Sequence, residues 1–266
     1  MNASLYWIDA FADRPFAGNP AVVVPLERWL PDTALLRMAF EHGVAETAFF
    51  VPAGEARFHL RWFTPTVEVD LCGHATLAAA HVLFHERGQR GGRVTFDSRS
   101  GPLVVARRPD GKLELDFPAT PVAAETDATV ARSVATALGR PPEWLGRSTF
   151  DRFAVLPDAA AVRALRPDPE HVTAAGGRGL IVTAPGDGTC DFVSRFFAPQ
   201  SGIAEDPVTG SAHCALAPYW AERLGKTELH ARQISARGGE LWCEIARERV
   251  KIAGHTALYL RGEVIL

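Results

Sequence analysis

The chain has 266 residues and a formal net charge of −3, with 47% hydrophobic and 22% charged residues. This length suits one large domain or two smaller ones, and the composition is typical of a globular protein. It contains no cationic run and no interleaving of basic and aromatic residues, so a nucleic-acid partner is not expected.

The N-terminal stretch and the cysteines favour a cytoplasmic protein. Asp9 and Asp13 interrupt the first apolar stretch, so no signal peptide is predicted. The longest apolar runs are shorter than the roughly 20 residues of a membrane span, so no membrane contact is expected. No C-x-x-C pair occurs among the four cysteines, Cys72, Cys190, Cys214 and Cys243, which we expect to be reduced.

Short β-rich segments follow one another through the first half of the chain. In order they are LYWIDAF, AVVVPL, TAFFVP, FHLRWFT, RVTFDS, PLVVARR and KLELDFP. A single helix is predicted over 75–87, between the fourth and fifth segments. Its alanines keep it thin and it is apolar on nearly all sides, which is typical of a helix enclosed by the rest of its domain.

A more polar stretch, AETDATVARSVATALGRPPEWLG, divides the chain and predicts a helix that ends near Gly139. The β-rich texture then returns in FAVLP, GLIVTA, DFVSRFF, RQISA, LWCEIAR, VKIAGH and ALYLRGEVIL. We place the boundary near 117–121, which gives a first domain of 1–117 and a second of 118–253. The terminal strand, 254–266, is a candidate to return to the first domain.

The two halves carry the same landmarks in the same order, which indicates an internal duplication. LCGHATLAAAHVL, behind WFTP, corresponds to TGSAHCALAPYW, behind FFAP, with Gly73 aligned to Gly210. SRSGPL and ARGGEL follow in register. Each half is therefore predicted to be a curled sheet around a thin helix, in preference to a doubly wound parallel sheet.

Each thin helix begins at a glycine followed by a hydrogen-bonding side chain, His74 or Ser211. The first N–H groups of a helix lack internal partners and carry the positive end of its dipole. Two such ends facing each other across a domain cleft would hold a small carboxylate through Gly73, Gly210 and Ser211. The alternative is that the glycines only turn the chain and that the polar side chains only cap the helices.

Three further polar side chains are candidates for the site. Glu46 would share a strand face with Val44 and Ala48, where loss of water raises the pKa of a carboxyl group towards the range useful for acid-base catalysis. Alternatively, Glu46 pairs with an arginine. Asp206 precedes the second thin helix and Asn19 precedes an apolar strand, and each is either a site residue or part of a turn.

Cys72 stands directly before the first glycine, where a thiol is acidic and reactive. Cofactor-independent amino-acid racemases use two such thiols, one in each half, as opposed bases. Thr209 occupies the corresponding position of the second half. Because the partner thiol is absent, a two-thiol racemase is disfavoured.

His81 and His85 are four residues apart with Glu86 adjacent, a spacing that can chelate zinc. No third ligand is evident outside this segment, so carboxylate chemistry is favoured over a metal site. The chain lacks a phosphate-binding G-x-x-x-x-G-K-[ST] loop, a G-x-G-x-x-G turn and a G-x-S-x-G nucleophile motif.

The chain resembles the PhzF (phenazine-biosynthesis-type) isomerase family in DAFADRPFAGNPAVVV, ETAFF, FTPTVEVDLCGHATLAAAHVL and EDPVTGSAHCAL. The resemblance runs from about residue 5 to the C-terminus. It implies the diaminopimelate-epimerase-like fold, with two pseudo-symmetric domains, an active site between them and no cofactor. It also implies that Glu46 is the catalytic glutamate and that His74, Asp206 and Ser211 contact the substrate.

The family's characterised reaction moves a proton within a dihydro-hydroxyanthranilate-type ring acid. We therefore predict an α+β protein in which each domain is a mixed sheet curled into a barrel around a central helix. Its predicted function is cofactor-independent isomerisation of a small carboxylated amino or hydroxy acid, either cyclic or open-chain. The predicted catalytic residues are Glu46, His74 and Asp206, and the predicted substrate-binding residues are Asn19, Gly73, Gly210 and Ser211.

Two alternative functions stay open at this point. One is an amino-acid epimerase or racemase of the same fold that has replaced its second thiol. The other is a non-catalytic protein that binds small acids. All three hypotheses share a small-molecule carboxylate as the partner, with no metal ion and no cofactor, and a homodimer is a candidate assembly.

Overall fold

The computed structural model describes residues 2–266, which form two compact units. The first unit extends to Asp116 and takes up the chain again at Ala253–Leu266, and the second is Phe117–Ile252. Both are built mainly from strands in a mixed sheet, which confirms the α+β class. The sheet is not closed, so the predicted barrels are open. Within the described residues, no helix has the length and apolar character needed to span a membrane.

Residues 2–118 form eight strands and two helices. The strands are β1 Asn2–Ala10, β2 Asn19–Pro25, β3 Glu46–Gly54, β4 Arg57–Phe63, β5 Glu68–Val69, β6 Arg93–Ser98, β7 Gly101–Arg107 and β8 Leu113–Pro118. The helices are α1 Asp32–His42 and α2 Gly73–His81, and a π-helical segment, Val82–Glu86, continues α2.

The later part of the chain forms nine short strands, four helices and the terminal strand. The strands are β9 Ala123–Ala124, β10 Trp144–Arg147, β11 Arg152–Val155, β12 Leu180–Pro185, β13 Phe192–Ala198, β14 Ile203–Asp206, β15 Glu228–Gln233, β16 Gly239–Ala246 and β17 Arg249–Gly254. The helices are α3 Ala128–Leu138, α4 Ala159–Ala164, α5 Pro169–Ala174 and α6 Gly210–Leu224, with a 3-10 turn at Pro199–Ser201. The terminal strand, β18 Thr256–Ile265, pairs antiparallel with β1 in the first unit.

The two units share one scheme of strand pairing, which supports an internal duplication. In the first unit β4 is antiparallel to β3 and β5 and parallel to β6, and β6 is antiparallel to β7. In the second unit β13 is antiparallel to β12 and β14 and parallel to β15, and β15 is antiparallel to β16. Parallel neighbours need a long crossover connection, and α2 and α6 supply it.

Both crossover helices are enclosed, as their composition predicted. Every residue of α2 from His74 to His81 is buried, and the helix packs against β1, β2 and β3. The equivalent part of α6, residues 212–217, is buried as well. Alanine side chains allow this close packing because they add little width to the helix, and both helices begin at the glycines that the sequence indicated.

Each unit also has a separate apolar layer outside the central helix. In the first unit α1 contributes Leu35 and Met38 to a cluster that includes Val22 and Phe49. In the second unit α3, α4 and α5 bring a similar set of aliphatic side chains against β11, β12 and β13. The central sheet of each unit is therefore covered on both faces.

Some predicted boundaries were wrong. The helix predicted over 75–87 is α-helical only to His81, beyond which its hydrogen bonding becomes π-helical. Val44 precedes β3 and so does not share a strand face with Glu46. Helices α1, α4 and α5 were missed, and α4 and α5 have only six residues each, which is too short for a helical period to be recognised. The helix predicted to end near Gly139 is confirmed as α3.

We predict that Gly18→Ala destabilises the protein more than Gly88→Ala. Both glycines have a φ of +66°, which costs alanine about 1–2 kcal/mol. A Cβ at Gly18 would also lie 2.1 Å from the Ala10 carbonyl oxygen, whereas a Cβ at Gly88 meets nothing within 4 Å. Urea denaturation should show a further loss of roughly 1–3 kcal/mol for Gly18→Ala. Equal losses in the two variants would contradict this close backbone approach.

Candidate active site

Three chemically active side chains converge at the N-terminal end of α2. Glu46 is the first residue of β3, Cys72 is the N-cap of α2, and His74 is the second residue of the helix. His74 Nε2 lies 3.3 Å from Glu46 Oε2, and His74 Nδ1 lies 3.5 Å from Cys72 Sγ. The first unit thus brings together two of the predicted catalytic residues and the thiol beside them.

Packing of α2 against the parallel pair β2 and β3 explains this convergence. Strand β3 starts at Glu46, which lies opposite Ala21 of β2, and the helix runs beside both strands. The backbone of Cys72 is extended, and its carbonyl oxygen accepts hydrogen bonds from Thr76 Oγ1 at 2.6 Å and Thr76 N at 3.2 Å. These bonds fix the first turn of α2, and with it the directions of Cys72 and His74.

The imidazole of His74 is uncharged at neutral pH. Only 7% of its side chain is exposed, and burial lowers the pKa of His74 to about 3. A neutral imidazole has one N–H donor and one nitrogen acceptor. The ring therefore offers Glu46 a polar contact without a compensating positive charge.

The second unit carries different side chains at the start of α6. Thr209 is the N-cap, and its hydroxyl donates to Asp206 Oδ2 at 2.5 Å. The buried Gln233 donates from Nε2 to the Asp206 carbonyl oxygen at 2.7 Å and accepts at Oε1 from Thr209 N at 2.9 Å. Asp206 is thereby held close to the first turn of α6, in which Ser211 is half-buried.

The same hydrogen bond stabilises the first turn of both helices, although it comes from different residue types. The residue four positions beyond each N-cap binds the N-cap carbonyl oxygen: Thr76 in α2, and His213 in α6, whose Nδ1 lies 2.8 Å from Thr209 O. Burial lowers the pKa of His213 to about 4, so its neutral ring donates from Nδ1. This bond gives His213 a structural role.

Glu46 and Cys72 have no counterparts of the same type in the second repeat. Thr47 lies opposite Phe63 in the first unit, as Leu180 lies opposite Phe197 in the second. The position equivalent to Glu46, one residue before Leu180, is therefore a glycine, Gly179. Because Cys72 likewise corresponds to threonine, neither the carboxylate nor the thiol is duplicated.

The other predicted site residues lie at the ends of elements. Asn19 is the first residue of β2, lies opposite Ala10 of β1, and is fully buried. Gly73 and Gly210 are the first residues of α2 and α6. Asn19 and Gly73 thus belong to the unit that holds Glu46, and Gly210 belongs to the unit that holds Asp206.

The zinc-like spacing of His81 and His85 does not produce a cluster of three ligands. His81 Nδ1 lies 2.7 Å from the hydroxyl of Thr256, and Glu86 forms an ion pair with Arg261. Within residues 2–266, three potential metal-ligating atoms come together at Glu46, Cys72 and His74, which lie within 4.8 Å of one another. The sequence missed this group because Glu46 is distant in the chain, although Cys-x-His at a helix start was visible.

The sequence also missed Gln233. No motif surrounds it, and it is separated from Thr209 by the whole of α6. Parallel pairing of β13 with β15 places the end of β15 beside the loop before α6. This residue could be found only through the strand pairing.

The comparisons with known proteins agree along the whole chain. Residues 8–262 match the family model described as phenazine biosynthesis-like protein. An uncharacterized isomerase of Pseudomonas aeruginosa is 53% identical over 266 residues, with both chains fully covered. The crystal structure of a PhzF-family phenazine biosynthesis protein of Enterococcus faecalis has a TM-score of 0.95 and 44% identity, again with full coverage of both chains.

A more distant structure extends the likeness of fold. A hydroxyproline epimerase of Agrobacterium vitis, with bound trans-4-hydroxy-L-proline, has a TM-score of 0.62 and 10% identity. The alignment covers 99% of this chain and 92% of the epimerase. At this identity the similarity concerns the fold alone.

We predict that buried neutral histidines make the protein less stable in mild acid. Folding lowers the pKa of His74 from the roughly 6.5 of an exposed imidazole to about 3. The unfolded chain therefore takes up this proton at higher pH than the folded chain, so the contribution to stability is complete above about pH 6.5 and declines as the pH falls towards the folded pKa. One such histidine should remove about 2 kcal/mol between about pH 7 and about pH 5.

Urea denaturation of the wild type and of His74→Gln at the two pH values tests this prediction. The variant should lose about 2 kcal/mol less than the wild type on acidification, because it lacks one of the groups that the unfolded state protonates. An identical pH dependence in the two proteins would show that His74 is not held neutral by folding.

Proposed function

The chain belongs to the phenazine biosynthesis-like family, and on that premise we propose that it is a cofactor-independent isomerase in which Glu46 moves a proton within a small carboxylated substrate. The observation that carries the proposal is the contact between Glu46 and the neutral, buried ring of His74. Few water molecules can reach a carboxyl group in this position, because only 14% of its side chain is exposed. A partly desolvated carboxylate is a stronger base than one in water.

In the proposed reaction, Glu46 removes a proton from a carbon conjugated to the substrate's carboxylate. The electron pair of the C–H bond enters the conjugated system, and a double bond shifts along it. Glu46 then returns the proton to another carbon on the same face, so that substrate and product have the same atoms and no oxidation occurs. One carboxylate can perform both steps if the two carbons lie within its hydrogen-bonding reach.

His74 is proposed to hold the carboxyl group of Glu46 in position through the cycle. A positively charged ring would stabilise the carboxylate of Glu46 and so weaken it as a base, and the neutral ring of His74 avoids this effect. Asp206 is proposed to assist in proton transfer. Its carboxylate is supported by the hydroxyl of Thr209, and its backbone is supported by Gln233.

The substrate carboxylate is proposed to bind to N–H groups at helix starts. Gly73 begins α2, and Gly210 and Ser211 begin α6, so each contributes an N–H group without a partner in its own helix. The hydroxyl of Ser211 can donate a further hydrogen bond. Asn19 completes the proposed set of substrate-binding residues.

An amino-acid epimerase remains the second candidate, because the hydroxyproline epimerase shares the fold. The asymmetry of the repeats favours the isomerase. Epimerisation by two opposed thiols needs a cysteine from each half, whereas the second repeat has Thr209 where the first has Cys72. Chiral analysis of products from trans-4-hydroxy-L-proline, compared with those from unsaturated ring acids, separates epimerisation from a double-bond shift.

We predict that Glu46→Gln lowers turnover by roughly 100-fold or more, because the amide keeps the shape of the side chain but cannot accept the proton. Substrate binding should change little. Turnover can be followed by NMR with a dihydroanthranilate-type ring acid in deuterated water. The product should gain one deuteron at a single carbon. The deuterium content at that carbon will be lower to the extent that Glu46 returns the same proton that it removed, before exchange with solvent.

Glu41→Gln is the matched control for this experiment. Glu41 is an exposed residue of α1 with no place in the proposed site, and this variant should react at the wild-type rate. Wild-type turnover in Glu46→Gln would eliminate the mechanism and make His74 the next candidate for the base. A wild-type protein that binds small acids but never exchanges deuterium would favour the non-catalytic alternative.

We predict that Cys72→Ala retains most of the activity, because Thr209 cannot act as the opposing base of a two-thiol mechanism. The thiol lies beside His74, but the proton transfer assigned to Glu46 does not pass through sulfur. Steady-state kinetics of the variant on the same ring acid check this expectation. Loss of activity as complete as in Glu46→Gln would restore the racemase hypothesis.

A further inference from the structure

We propose that Glu46, Cys72 and His74 form a binding site for a zinc-type divalent cation that inhibits the protein reversibly. Metal binding follows from the three side chains themselves and is independent of the catalytic assignment. Inhibition rests on the proposed function, because the metal would occupy the carboxylate that is proposed to move the proton. The cation is thus a regulator of the site and takes no part in the reaction.

The three donor atoms are those that zinc prefers. Zinc binds thiolate sulfur at about 2.3 Å, imidazole nitrogen at about 2.0–2.1 Å and carboxylate oxygen at about 2.0–2.2 Å. In a tetrahedral site these bond lengths place neighbouring ligand atoms roughly 3.3–3.6 Å apart. Each donor here comes from a different residue type, and together they leave the fourth position open for water or another small ligand.

The observed spacing meets that requirement for the imidazole and the carboxylate, and the sulfur lies close by. His74 Nε2 and Glu46 Oε2 are already 3.3 Å apart, and Cys72 Sγ is 4.0 Å from the same nitrogen. All three donor atoms lie within 4.8 Å of one another. Cys72 Sγ lies nearer to His74 Nδ1, at 3.5 Å, so the sulfur has to turn about the Cα–Cβ bond of Cys72 to join Glu46 around a metal ion bound at Nε2.

The local structure favours binding of a cation by the thiol. Cys72 occupies the N-cap position of α2, and the positive end of a helix dipole stabilises a thiolate at such a position. On binding, the Cys72 thiol loses its proton to solvent and the sulfur bonds to the metal, so each bound cation releases one proton. The low exposure of His74 and Glu46 limits competition from water for the metal.

This donor set also predicts selectivity. Mg²⁺ and Ca²⁺ are hard cations that prefer oxygen ligands, so a site with one sulfur and one nitrogen should bind them weakly. Zn²⁺ and Co²⁺ accept sulfur, nitrogen and oxygen together. Co²⁺ is therefore a suitable probe, because a thiolate bound to it produces a charge-transfer band in the near ultraviolet.

The test is a titration of the full chain with Co²⁺, followed by absorbance and then by displacement with Zn²⁺. The wild type should develop the thiolate charge-transfer band with one equivalent of Co²⁺, and Zn²⁺ should abolish it. Cys72→Ser should lack the band. Glu46→Gln should still develop the thiolate band, because Cys72 is unchanged, but only at higher Co²⁺ concentrations. Its affinity should fall by more than the roughly 10- to 100-fold that is typical when a residue beyond the direct ligands is changed.

Cys190→Ser is the matched control, because Cys190 is a free, half-buried thiol in the second unit. This variant should keep both the band and the wild-type affinity, and an excess of Mg²⁺ should not displace Co²⁺. Circular dichroism establishes that each variant is folded. Absence of the band in the wild type, its persistence in Cys72→Ser, or its loss in Cys190→Ser would overturn the proposed site.

A second readout separates this proposal from the proposed function. If both are right, Zn²⁺ should inhibit isomerisation with the same concentration dependence as it displaces Co²⁺, and a chelator should restore the rate. A thiolate band with no inhibition would leave the metal site in place and refute its regulatory role. Full activity of Glu46→Gln together with the band would refute the catalytic assignment alone.

Discussion

Enclosure of the first turn of α2 is the constraint on which the candidate site depends. A helix rich in alanine can lie close against β1, β2 and β3, and this proximity excludes water from its N-terminal end. The polar side chains that begin the helix are then buried together with the carboxyl group at the start of β3. Burial keeps His74 neutral by lowering its pKa, and it makes each polar contact in the group stronger than it would be in water.

The duplication supplies a frame in which the two repeats carry different side chains at equivalent positions. Both repeats provide a crossover helix that starts at glycine, and both bind the N-cap carbonyl oxygen from the residue four positions later. Only the first repeat has Glu46 and Cys72 at the positions where the second has Gly179 and Thr209. Because neither group is repeated, this frame fits proton transfer by a single group better than transfer between two equivalent, opposed groups.

The same juxtaposition of a carboxylate, an imidazole and a thiol has two chemical consequences. The carboxylate, partly removed from water and supported by a neutral ring, is suited to accepting and returning a proton. With the thiol added, the three donors also suit a cation of the zinc type. Competition between a proton and a metal ion for one carboxylate would make activity depend on the free metal concentration.

The sequence by itself determined the features that depend on local pattern. Alternating and apolar segments located the principal strands, the repeated glycines located the starts of α2 and α6, and Gly139 marked the end of α3. The short helices and the change to π-helix after His81 could not be predicted in this way, because so few residues show no recognisable period.

Contacts between distant parts of the chain were decided only by the tertiary structure. The distance from Glu46 to His74 depends on the packing of α2 against β3, and the bonds of Gln233 depend on the pairing of β13 with β15. Sequence motifs could nominate Glu46, His74 and Asp206 one at a time, but they could not show which groups meet. Such contacts are set by strand register and helix packing, which join residues that no short stretch of sequence contains.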